Sequence, residues 1–142
     1  MLIDTRSTFA WEEDVDGSAG TAKLGEAMDL EVEANQGEGY PLYLVILFTT
    51  TTAGGTSTAY NLVTADNAAL DSNPVTLLST PVYAVASGVA GVYAIVVPLP
   101  KADYKRYLGI TVTRVGTVTA GAVSAFLVQD PPAWRAYPEG MN

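Results

Sequence analysis

Residues 72–100 carry no charged side chain, and this stretch restricts the fold more than any other part of the chain. It is long enough to cross a bilayer as a helix, which needs roughly 20 apolar residues. Its composition argues against that. Pro74, Pro81, Pro98 and Pro100 interrupt it, and Gly88 and Gly91 lie near its middle. Proline removes a backbone donor and clashes with the preceding helical turn. The apolar residues are mainly Val and Ala with Tyr, and Val and Tyr fit a pleated surface. The stretch therefore reads as two or three short buried strands joined by turns, in a chain with no membrane partner.

The same pattern extends outward. Residues 28–33 alternate, so that Met28, Leu30 and Val32 share one face and Asp29, Glu31 and Glu33 the other. Residues 40–48 are almost wholly apolar, as expected of a strand covered on both faces. A Thr-rich run follows, in which Gly54-Gly55 is a hairpin-type turn signal. Further strands are expected at 59–64, 75–79, 82–86, 92–97, 107–114 and 122–128. Only residues 65–70 offer a helical turn, with Asp66 as its cap. About eight short strands without a fixed repeat predict an all-β fold, an antiparallel β-sandwich of jelly-roll type with extended terminal segments. At this length we expect a single domain over residues 1–142, with an acidic segment at 1–27 and a tail at 129–142.

Charge and missing residue types narrow the function. The chain has 15 acidic and 7 basic side chains, a formal charge of -8, and neither Cys nor His. That excludes Ser-His-Asp triads, thiolate nucleophiles, disulfides and the usual nitrogen–sulfur zinc sites. A strongly acidic chain is a poor binder of phosphate backbones, so no nucleic-acid partner is expected. Most acids fall at or before Glu38, and no Lys or Arg occurs between Leu24 and Pro100. The acidic segment reads as solvated, with a basic partner surface as the sharper alternative. The opening residues lack the basic start and apolar run of a secretion signal.

Candidate chemistry is sparse. Glu12-Glu13-Asp14-Val15-Asp16-Gly17 begins like a calcium-binding loop, but the position that should hold a bidentate Glu is Lys23. It reads as an acidic turn, with no metal. Asp66 and Asp71 sit in no recognisable hydrolase motif, and no nucleotide-binding motif occurs. No enzyme and no cofactor are expected. Lys101, Lys105 and Arg106, with Tyr104 and Tyr107, form a small basic-aromatic patch suited to ion pairs with an acidic neighbour. Tyr60, Tyr83, Tyr93 and Tyr104 could line a sugar platform, which keeps a carbohydrate-binding sandwich as the alternative. At 130–138, Pro131, Pro132 and Pro138 bar a central strand, so the tail should run extended. Its Trp134 and Tyr137 need cover from their own sandwich or from a neighbouring subunit.

Several segments resemble the jelly-roll capsid cement, or decoration, proteins of tailed bacteriophages such as the Bordetella podophages. They are Met1-Leu2-Ile3-Asp4, residues 37–45 (GEGYPLYLV), Lys105-Arg106-Tyr107-Leu108, residues 119–130 (TAGAVSAFLVQD) and Trp134-Arg135-Ala136-Tyr137-Pro138. The likeness follows the chain from end to end. It implies a structural protein on the exterior of the virion, made in the host cytoplasm, that performs no reaction. It implies docking on the major capsid protein as a homo-oligomer, with a dimer favoured, across neighbouring capsomers. Capsid or sister-subunit contacts would then fall to Ile3 and Asp4 and to Trp134, Arg135 and Tyr137.

Overall fold

The computed structural model describes residues 8–30, 34–36, 42–100 and 102–128. Their strands are β1 (Thr8–Asp14), β2 (Gly20–Asp29), β3 (Ala34–Gln36), β4 (Tyr43–Gly54), β5 (Ser57–Ala65) and β6 (Val75–Ser79). They continue with β7 (Tyr83–Ala84), β8 (Tyr93–Pro98), β9 (Ala102–Tyr104), β10 (Tyr107–Val115) and β11 (Val118–Val128). Among the described residues, a single 3-10 turn occupies Val85–Ser87.

Two antiparallel sheets carry the architecture. The first has the order β1-β11-β4-β8, and the second β2-β10-β5-β6, with β7 also paired to β5. β3 and β9 form a separate ribbon. The pairings β1–β11, β2–β10, β4–β8 and β5–β6 are nested, like a long hairpin rolled over on itself. The β11–β4 and β10–β5 ladders then close the roll. This is a jelly-roll β-sandwich, as the strand spacing predicts.

The core lies between the sheets and follows the period of two. Leu108, Ile110 and Val112 of β10 face Leu44, Ile46 and Phe48 of β4 and Val123, Ala125 and Leu127 of β11 in one buried cluster. Phe48 meets the rings of Tyr60 and Tyr83 edge-on, with centroids 6.0 and 5.8 Å away. Each fully buried side chain of this size stabilises the fold by roughly 1.5–3 kcal/mol.

Four expectations need correction. Gly54-Gly55 does form the turn, with φ of 74 and 68. It does not close a hairpin, because it carries the chain from β4 in the first sheet to β5 in the second. A Cβ at Gly54 would meet the Thr117 carbonyl at 2.9 Å, so the crossing requires glycine there. Residues 65–70 form no helix. Their turn is organised by Asn67, whose Oδ1 accepts from the Asp71 and Ser72 amides at 3.1 Å. Much of the acidic N-terminal segment is strand, since β1 and all but the last two residues of β2 fall within it. Finally, the charge-free stretch is not interior. β6 and β8 are edge strands, and much of residues 72–100 is exposed.

Met28 and Leu30 pack against the core as the alternation requires, while residues 31–33 lie outside the described residues. Among the described residues, no helix is long and apolar enough to cross a membrane.

Candidate docking surfaces

The two edges of the sandwich differ in charge. β1 and β2 border their sheets on one side and pack against each other. Phe9 and Ala10 of β1 are both buried, and its register against β11 shifts between Thr8 and Ala10 and again between Ala10 and Glu13. Glu12 takes a φ of 49 and donates its amide to Ser124 Oγ at 2.9 Å. This irregularity breaks the alternation and leaves Trp11, Glu12, Glu13 and Asp14 all exposed in succession. Val15 returns to the core, and Arg114 Nε donates to its carbonyl at 2.6 Å. Asp16 and Glu26 extend the acidic edge. The acids at 12–16 form a solvated border. No group of three or more potential metal ligands occurs among the described residues.

The opposite border is built from β6, β7 and β8 and has no charge. Tyr83 of β7 ties its two layers together by donating its hydroxyl to the Ala94 carbonyl of β8. Val82 (69% exposed), Val92 (47%) and Tyr93 (41%) stand out from it.

The outer faces of the sheets also differ. On the second sheet, Asn61 Nδ2 donates to Thr111 and Thr113, Thr113 bonds Thr21, and Ser79 donates to Asn61. That face is a ladder of hydroxyls and amides. On the first sheet, Val45, Phe126 and Val128 form a separate buried apolar cluster, flanked by Tyr43 and Val96. These residues alternate with the main-core residues of β4 and β11, so they belong to the face turned away from the sandwich interior. Trp11 lies beside this cluster, 58% exposed, with its ring centroid 6.5 Å from that of Phe126.

The proposed contact residues Ile3, Asp4, Trp134, Arg135 and Tyr137 all lie outside the described residues. Their points of attachment are well defined. β1 and β11 are antiparallel neighbours, with Thr8 opposite Phe126. The start of β1 and the end of β11 therefore lie side by side at one end of the body, next to the apolar cluster.

The basic-aromatic patch is largely satisfied within the chain. Arg106 grips Asp29 with two bonds of 2.9 and 3.0 Å and lies over the Tyr107 ring at 5.2 Å. Lys105 Nζ donates to the Asn73 carbonyl at 2.7 Å and sits 3.7 Å from Asp66. Lys101 is outside the described residues. Tyr104 is buried, and its hydroxyl donates to the Pro100 carbonyl at 2.6 Å. Tyr60 is buried as well and Tyr83 is half-buried, so of the four tyrosines considered for a sugar platform only Tyr93 is exposed. The sequence reading missed Trp11. Its signal was available: an aromatic directly after Phe9-Ala10, where an apolar strand start runs into acids.

These features define a class: a jelly-roll protein whose distinctive chemistry lies on its outer surfaces. The chain belongs to the Bbp16 family, a family of Bordetella phage proteins, whose model matches residues 15–127. No curated protein matches it.

Proposed function

We propose that this chain is a structural virion protein, specifically a head cement or decoration protein. In this reading it binds the outer surface of the phage head and contacts the major capsid protein. It bridges neighbouring capsomers and holds the shell against the pressure of packaged DNA. It catalyses nothing and binds no cofactor, nucleic acid or membrane. It acts as a homo-oligomer on the virion exterior, after synthesis in the host cytoplasm. The observation that carries the reading is membership of a phage protein family by a jelly roll whose first and last described strands are antiparallel neighbours. Many copies on one shell gain avidity because each contact raises the effective concentration of the next.

Contacts to the shell or a sister subunit are assigned to Ile3 and Asp4 in one arm and Trp134, Arg135 and Tyr137 in the other. Aromatic and Arg side chains commonly anchor such interfaces. The test is occupancy on purified heads, read by cryo-electron microscopy. The double variant Trp134→Ala/Tyr137→Ala should keep the parent's circular dichroism and bind heads more weakly. A variant that decorates as well as its parent overturns the tail assignment. Heads purified without this chain overturn the whole reading.

A further inference from the structure

We infer that the C-terminal tail, residues 129–142, folds back across the outer face of the first sheet of its own chain and seats Trp134 and Tyr137 on the cluster of Val45, Phe126 and Val128. That cluster stands on the face turned away from the sandwich interior, yet its members are only 0%, 1% and 4% exposed. Ser124, on the same face of β11, is buried as well. The second sheet packs on the other face, where Val123, Ala125 and Leu127 meet β10. Among the described residues, the apolar neighbours of the cluster are Tyr43, Val96 and Trp11, all from the first sheet itself. Side chains on one face of a sheet stand side by side, so they shield one another's flanks and leave their tips open. Burial this complete requires a cover laid over the face.

Position and composition select the tail. Val128 is both the last residue of β11 and a member of the cluster, so the tail starts at the surface to be covered. Residues 1–7 instead lead into β1, at the margin of the sheet. Asp130-Pro131 is a pairing that favours a reverse turn. Pro131, Pro132 and Pro138 favour the extended polyproline form, which advances about 3.1 Å per residue and repeats every third residue. Pro131, Trp134 and Tyr137 follow that spacing, so they would share one side, with Arg135 on another. The lengths agree. Trp134 lies two residues past Pro132, a return of roughly 6 Å. Phe126 lies two residues back from Val128, roughly 7 Å. Tyr137 would return roughly 15 Å, close to the roughly 13 Å between Val128 and Ser124.

The inference concerns the chain free of the head and does not rest on the cement reading. Tail aromatics that contact a shell or sister subunit must first leave this face, so docking and cover compete for the same two side chains. The tail is then a strap that hides an apolar surface until a partner displaces it.

The chain has no cysteine, so one introduced thiol reports on one place. In the full-length chain without heads, the Val45→Cys thiol should react slowly with a maleimide. Adding Trp134→Ala/Tyr137→Ala should speed that reaction at least about tenfold, because the face then opens without global unfolding. Val128→Cys provides a second reporter on the same face. The Val112→Cys thiol, inside the sandwich, should stay equally shielded with or without the tail change. A Val45→Cys thiol that reacts freely while the tail is intact overturns the inference. So does one whose rate ignores the tail change, which gives the cover to another segment. Acceleration at Val112→Cys as well overturns it, since the tail then stabilises the whole fold rather than covering one face. Shielding that is lost on dilution makes the cover a neighbouring chain's tail and overturns it too. A covered face in a chain that never occupies heads would sink the cement reading alone.

Discussion

Thr8 and Phe126 stand directly opposite each other in the β1–β11 ladder, although they lie at opposite ends of the described chain. The polypeptide thus enters and leaves the sandwich at neighbouring points. Joining residue 142 to residue 1 through a short flexible linker, with new ends between Ser18 and Ala19, should give a folded permutant. Both new termini fall in an exposed turn. Circular dichroism should match the parent, with a thermal midpoint within roughly 10 °C, because one turn is lost and one closure gained. A permutant that fails to fold would contradict the ladder.

Arg114 fastens the acidic turn to the sandwich. Its Nε holds the Val15 carbonyl at 2.6 Å, and Gly17 leaves room for the guanidinium, which a Cβ there would approach to 3.0 Å. Arg114→Met should cost about 2 kcal/mol in urea unfolding, within the range for a hydrogen bond to a charged donor. Gly17→Ala should destabilise too, because its φ of 146 also disfavours a side chain.

Burial separates the expensive substitutions from the cheap ones. Phe48→Ala should cost about 3–5 kcal/mol, since Phe48 fills the core between Tyr60 and Tyr83. Arg106→Gln breaks a geometrically good ion pair with Asp29, but both side chains are substantially exposed. Its cost should stay within about 1 kcal/mol and shrink in high salt. Chemical denaturation of the two variants checks the contrast.

Alkaline pH should weaken the fold through its tyrosines. Burial pushes the Tyr104 hydroxyl up to about 12 and raises Tyr60 and Tyr83 as well. The folded chain therefore keeps protons that the unfolded chain loses near the ordinary value of 10. This contribution is whole below pH 10 and is lost as pH rises toward 12. Tyr104→Phe should flatten that decline. At neutral pH it should cost about 1 kcal/mol for the lost bond to the Pro100 carbonyl. Thermal midpoints recorded from pH 8 to 12 give the comparison.

Regular alternation and apolar runs were readable in the sequence. β6 matches its expected bounds, and β5, β8 and β10 match to within a few residues. The start of the chain was not readable, for a physical reason. In β1 the register slips beside Glu12, and in β2 residues 25–27 bulge opposite Gly109, so neither strand keeps its period. The charge-free stretch misled for a different reason: lack of charge signals burial only if something covers the strand, and β6 and β8 are sheet edges. The chemistry of the proposed contacts at Ile3, Asp4, Trp134, Arg135 and Tyr137 was visible in their residue types. That the segments bearing them attach side by side was not, because it depends on a pairing between the first described strand and the last.

The nested ladder also dictates an order of events during synthesis. β1 and β2 each need a sheet partner from the far end of the chain, β11 and β10 respectively. Neither can pair until the ribosome has made nearly the whole polypeptide. Contacts so distant in sequence fold slowly. The nascent N-terminal third must wait unpaired, and its many carboxylates would help keep it in solution until the last strand emerges.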